Sequence, residues 1–121
     1  VDTDHFEEKL AQIRLRYAST LRHRVDESFD ALPALSDESA DAIKTIINIH
    51  RKLHEMCGMA PSIGFPLTGK AARLAESVLR EPASARRPLT KTEIRAFIDE
   101  IDRLRDAALA ELQAIPIQHD S

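Results

Sequence analysis

With one cysteine, three glycines, one tyrosine, four phenylalanines and no tryptophan in 121 residues, the sequence excludes several kinds of protein by what it lacks. The single cysteine, Cys57, cannot close an internal disulfide or supply a multi-cysteine zinc site, and it points to a reducing compartment. Scarce glycine and aromatic residues, beside abundant Ala, Leu, Ile, Glu and Arg, favour helix over sheet. No apolar run approaches the roughly 20 residues needed to span a bilayer, and no secretory signal is visible. A cytoplasmic protein without a membrane partner is therefore expected. An excess of positive charge is missing too: 17 Lys and Arg against 20 Asp and Glu give a net charge of −3, a field that repels a phosphate backbone, so no nucleic-acid partner is expected. There is no internal repeat, no low-complexity tract and no strand pattern.

What remains is a chain that is 43% hydrophobic and 31% charged, the balance of a single globular domain with one core. Four segments have helical periodicity, predicted at about 4–31, 36–60, 66–80 and 90–115. In the first, Phe6, Leu10, Ile13, Tyr17, Leu21 and Phe29 recur at mostly three- and four-residue steps. Asp4 and Glu7 have the spacing of a capping box, and Pro33 marks the end. The second opens at Ser36, with Asp37 and Glu38 suited to the positive end of the helix dipole, and ends near Pro61. The third starts at Pro66, presents Leu67, Ala71, Leu74, Ala75 and Val78 on one face, and stops ahead of Pro82. Thr90 and Glu93 cap the fourth, whose stripe runs Ile94, Ile98, Ile101, Leu104, Ala108, Leu112, Ile115 up to Pro116. The expected fold class is all-α, an antiparallel up-down-up-down four-helix bundle.

Candidate chemistry concentrates in His50-Arg51-Lys52-Leu53-His54-Glu55-Met56-Cys57-Gly58 and the following Gly64-Phe65-Pro66-Leu67. Glycine inside a helix costs up to about 1 kcal/mol relative to alanine, so Gly58 needs a reason. At about 100° per residue the apolar stripe centres on Ile46, Leu53 and Ala60, which places His54 at the border of core and solvent. Gly58 at i+4 and Arg51 at i−3 are then its neighbours. An imidazole reaching solvent, bare backbone beside it and a guanidinium nearby would suit a phosphoryl group.

These residues resemble the motif of histidine phosphotransfer domains, the four-helix carriers of bacterial and fungal phosphorelays. That motif has the phosphorylated His, an aliphatic residue two positions on, often Lys or a small residue at the third, Gly at the fourth and another Gly at the tenth. Here those positions read His54, Met56, Cys57, Gly58 and Gly64. The continuation through Ala71-Ala72, Leu74 and Glu76 is also similar, so the motif covers 50–80 and the architecture the whole chain.

The resemblance implies that His54 accepts the phosphoryl group, with His50 a helper or bystander, and that Glu76 and Arg80 lie near it on the third helix. Gly64 would be a structural turn. Cys57 departs from the pattern where many members hold a lysine, leaving Arg51, Lys70 or Arg80 to supply positive charge. The attacking atom would be Nε2, with the other ring nitrogen held by Glu55, Glu76 or a carbonyl. Implied partners are response-regulator receiver domains and a hybrid histidine kinase. The receiver would bring the aspartate and Mg²⁺, so the chain itself would need no cofactor or metal and have no kinase activity. Docking would use Ile47, which projects close to the direction of His54, together with Gly58 and residues of the first helix, and the protein would be a monomer. Two alternatives carry weight: a bundle that binds a receiver or kinase without accepting phosphate, and a metal-binding bundle using His50, His54 and Cys57.

Overall fold

In the computed structural model, residues 2–114 are described, with side chains from residue 5 onward; Ile115, Pro116 and His119 lie outside them. Four helices account for most of the chain: α1 Asp2–Asp30, α2 Ala40–Ser62, α3 Pro66–Ala85 and α4 Lys91–Gln113, with one 3₁₀ turn, Leu32–Ala34, between α1 and α2. The described residues are all-helical and contain no strand.

Several helix ends differ from the sequence expectations, each for a local reason. Asp4 lies inside α1 and not at its cap. α2 starts four residues after Ser36, because Ser39 takes the cap position, accepting from the Ala42 N–H, while Asp37 accepts from Ser39. Pro61 and Pro82 do not end their helices; both sit in a final turn, where a missing N–H removes one hydrogen bond without breaking the helix. α3 stops instead at Arg86, whose left-handed φ of 54° reverses the chain. The expected Thr90–Glu93 capping box is present. Arg87 adds two hydrogen bonds of 2.8 and 2.9 Å to the Glu93 carboxylate, and with the help of Thr90 holds its pKa down to about 2.

The core forms where the four apolar stripes meet. Leu21, Leu35, Ile46, Leu53, Met56, Phe65, Leu79, Phe97, Ile101 and Leu104 are almost completely buried. α3 is rotated by about one residue from the expected orientation. Leu67 and Leu74 are exposed, and Thr68, Ala72, Ala75, Glu76, Leu79 and Pro82 face inward. Small residues on that face let α3 approach α2 closely. At Gly69 a β-carbon would overlap the Pro61 ring.

Three contacts tie the ends of the helices together. Arg14 Nε of α1 donates to the Ile63 carbonyl at 2.8 Å, in the α2–α3 turn. Gly64 there has φ +98°, and a side chain would collide with the Arg14 guanidinium. Phe65 gives α3 no side-chain cap, so the Glu111 carboxylate of α4 takes that role, accepting from Leu67 N, Thr68 N and Thr68 Oγ1 at 3.0, 2.6 and 2.6 Å. Toward the other ends, Leu89 N donates to the Leu35 carbonyl at 2.9 Å, joining the two remaining connections.

Candidate functional site

Leu53, Met56 and Ala60 of α2 point into the core, and helical geometry turns His54 and Gly58 outward on an adjoining face. The His54 side chain is 71% exposed. Its Nδ1 lies 3.0 Å from Glu76 Oε1, across the α2–α3 interface. Glu76 is the unusual residue of the group, a carboxylate only 7% exposed on the inward face of α3.

Glu76 gathers four side chains. Cys57 Sγ donates to Oε2 at 3.5 Å. His50 Nε2 is 3.4 Å from Oε1, within ion-pair distance but without hydrogen-bond geometry, so that nitrogen is buried and unpartnered. Arg80 reaches to 3.9 Å of Oε1 from one turn along α3. Burial pushes the Glu76 carboxyl up, but hydrogen bonds from His54 and Cys57 and the two nearby imidazoles outweigh it, and the pKa falls below the usual carboxylate range. An ionised Glu76 is an acceptor for Nδ1–H, the tautomer that leaves Nε2 of His54 free and facing outward.

Gly58 lies one turn further along α2, and a β-carbon built there meets nothing within 4 Å. Packing therefore does not require this glycine, unlike Gly64 and Gly69.

Cys57 is half-buried. Burial raises its pKa, the Glu76 carboxylate raises it further, and the Arg73 guanidinium from α3 only partly offsets this. It is a neutral hydrogen-bond donor and not a reactive thiolate. Arg73 was not singled out in the sequence; its place beside Cys57 depends on how α3 registers against α2.

The other sequence candidates make no hydrogen bond or ion pair with Glu76 among the described contacts. Arg51 is exposed and hydrogen-bonded to Asn48 Oδ1 at 2.6 Å. Glu55 lies 3.6 Å from Arg24 of α1 and does not hold the His54 ring. Lys70 is exposed. Ile47 is only half-exposed. The strongly exposed apolar side chains near His54 are Met59 of α2 and Ile13 of α1, on the rim of a groove also lined by Tyr17, Thr20, Glu55 and Ile63. Tyr17 is stacked on Phe65 with ring centroids 5.9 Å apart. By helical spacing His54 stands between Glu55, which lines this groove, and Cys57, which meets Glu76.

Among the described residues no group of three or more His, Cys, Asp or Glu is arranged to hold a metal ion. His50 and His54 both turn toward one oxygen of Glu76. No described helix is long and apolar enough to cross a membrane. In comparisons with known proteins, the chain matches no family model, no curated protein and no solved structure.

Proposed function

We propose that this protein is a phosphoryl carrier of the histidine phosphotransfer kind, with His54 as the phospho-accepting nucleophile. One observation carries the proposal: an exposed imidazole on a helix has its inner nitrogen anchored by a buried carboxylate, so its outer nitrogen is aimed at solvent beside bare backbone. In the transfer step the Nε2 lone pair attacks the phosphorus of a receiver's aspartyl phosphate. The N–P bond forms as the acyl O–P bond breaks, and the electron pair leaves on the aspartate carboxylate. The Nδ1 proton stays in its hydrogen bond to Glu76. Such transfer depends chiefly on positioning and charge neutralisation, with the Mg²⁺ and most catalytic groups belonging to the receiver.

The helix order we infer is up-down-up-down and antiparallel. It is supported by the Arg14–Ile63 and Glu111–Thr68 contacts at one end and the Leu89–Leu35 contact at the other. The inferred docking surface for receiver domains and a hybrid kinase is the open patch at Gly58 with the half-exposed Ile47 on the same helix, joined by the Ile13–Met59 groove. On this proposal the protein is a cytoplasmic monomer with no kinase activity and no cofactor of its own.

The neutral Cys57 favours a second reading, in which the same surface binds a receiver or kinase without accepting phosphate. Incubation with a phosphorylated receiver separates the two. Label on the parent that vanishes in His54→Gln supports the carrier; equal label on both, or none from any cognate receiver, overturns it.

A further inference from the structure

A phosphoryl group on Nε2 of His54 adds about two negative charges on the opposite side of the ring from a buried, ionised carboxylate. Like charges this close raise the energy of the phosphorylated state unless cations sit near the phosphoryl oxygens. The chain must therefore supply positive charge on the solvent side of Glu76. On α2, Arg51 is hydrogen-bonded to Asn48 and makes no ion pair with Glu76 among the described contacts.

α3 has two arginines seven residues apart, Arg73 and Arg80, which helical periodicity puts on one side of that helix with Glu76 between them along the axis. Arg80 reaches the Glu76 carboxylate at 3.9 Å. Arg73 lies three residues before Glu76, whose other oxygen is 3.5 Å from Cys57 Sγ, and four after Gly69, where a β-carbon would lie 3.5 Å from the Cys57 carbonyl, so the helix carries Arg73 past Cys57. Both arginines are exposed, so their guanidinium groups are free to move toward a new anion. Beside Cys57, the surface at Gly58 is open.

We infer that Arg73 is a phosphoryl-binding residue, which swings over Cys57 toward the open surface at Gly58 and donates to the phosphoryl oxygens on His54. The inference rests on the carrier role proposed above. It assigns to α3 a charge that the thiol of Cys57 cannot provide, with Arg80 closing on the phosphoryl group from the opposite end. A flexible, exposed guanidinium suits this task, because it stays solvated while His54 is empty and needs no fixed partner.

The test uses phosphoramidate, a small donor that labels histidine without a receiver. Its P–N bond breaks as the Nε2–P bond forms, and nitrogen leaves as ammonia. The parent, His54→Gln, Arg73→Ala and Arg73→Lys are compared for labelling rate and for the half-life of the phosphohistidine. Circular dichroism checks that each is folded. Arg73→Ala is expected to lower the labelling rate about five- to tenfold, with Arg73→Lys closer to the parent. A labelled parent with Arg73→Ala within twofold of it overturns the role of Arg73 and leaves the carrier standing. A parent that labels no better than His54→Gln overturns both.

Discussion

Removing Glu76 tests the site most directly, because a single carboxylate holds both the fold and the imidazole. In Glu76→Ala the Cys57 thiol loses its acceptor at 3.5 Å and His54 Nδ1 its acceptor at 3.0 Å. His50 Nε2, already buried without a hydrogen bond, loses its nearby charge. Leaving such donors unpaired costs about 1–3 kcal/mol in all, the His54 end counting least because its ring is solvated. For a chain of this size that is a drop in Tm of roughly 4–12 °C. The effect on labelling should be larger than stability alone explains. A ring freed from its anchor samples both tautomers and many orientations, and loss of a partner that orients a reactive histidine typically costs about 10–100-fold. Glu76→Gln keeps an oxygen acceptor of the same shape and should cost less on both measures. The assay pairs phosphoramidate labelling of His54 with ¹⁵N NMR of its ring. The parent should show the Nδ1–H tautomer and Glu76→Ala a shift toward Nε2–H. A Glu76→Ala protein that is less stable but labels His54 as fast as the parent, with an unchanged tautomer, would refute the reasoning and leave Glu76 a purely structural residue.

Four further outcomes are expected. Gly58→Ala should stabilise the fold by about 0.5–1 kcal/mol, since the added methyl meets nothing and helix propensity improves; Gly58→Gln should leave phosphoramidate labelling intact but slow transfer from a receiver, and equal receiver transfer would remove Gly58 from the docking surface. Glu111→Ala strips the N-terminus of α3 of its only side-chain acceptor among the described contacts and should cost about 1–3 kcal/mol by urea unfolding, a loss under about 0.5 kcal/mol arguing against the cross-helix cap. Glu93 has a folded pKa of about 2, below its ordinary 4.5, so its stabilisation is complete above about pH 4.5 and lost as pH falls toward 2; the urea-midpoint gap between parent and Glu93→Gln should narrow over that interval, and a gap that does not change with pH contradicts the assignment.

The apolar stripe of a single helix was legible in the sequence, its ends only in part, and features that depend on how two helices register were not. The α4 stripe and the Thr90–Glu93 box need only local spacing, and both are present, although Phe97 joins Ile101 and Leu104 in the core more deeply than Ile98 does. The orientation of α3 was misread because its leucines, Leu67 and Leu74, suggest a buried face. The close contact of Gly69 with Pro61 selects the face with small residues instead. The two prolines misled for a related reason: each reads as a stop, yet in a final turn the cost is one hydrogen bond, and Pro82 recovers burial.

The same division runs through the site. His54 and Gly58 share a face of α2 by spacing alone, whereas Glu76 was reached only through resemblance and Arg73 not at all. Cys57 shows why the contact across helices changes the chemistry. Read along α2, it is a place where a lysine is missing. Across the interface, its thiol donates to Glu76 Oε2 while His54 is held at Oε1, so the two α2 side chains fix the carboxylate from both oxygens. A lysine ammonium at position 57 would be drawn to the buried carboxylate 3.5 Å from the present sulfur, competing with His54 for its charge. The thiol, kept protonated by burial and by Glu76 itself, fills that position without neutralising the acceptor. Glu76 therefore keeps its charge for the imidazole, and on the carrier role proposed above the positive charge a phosphoryl group requires is left to the arginines of α3.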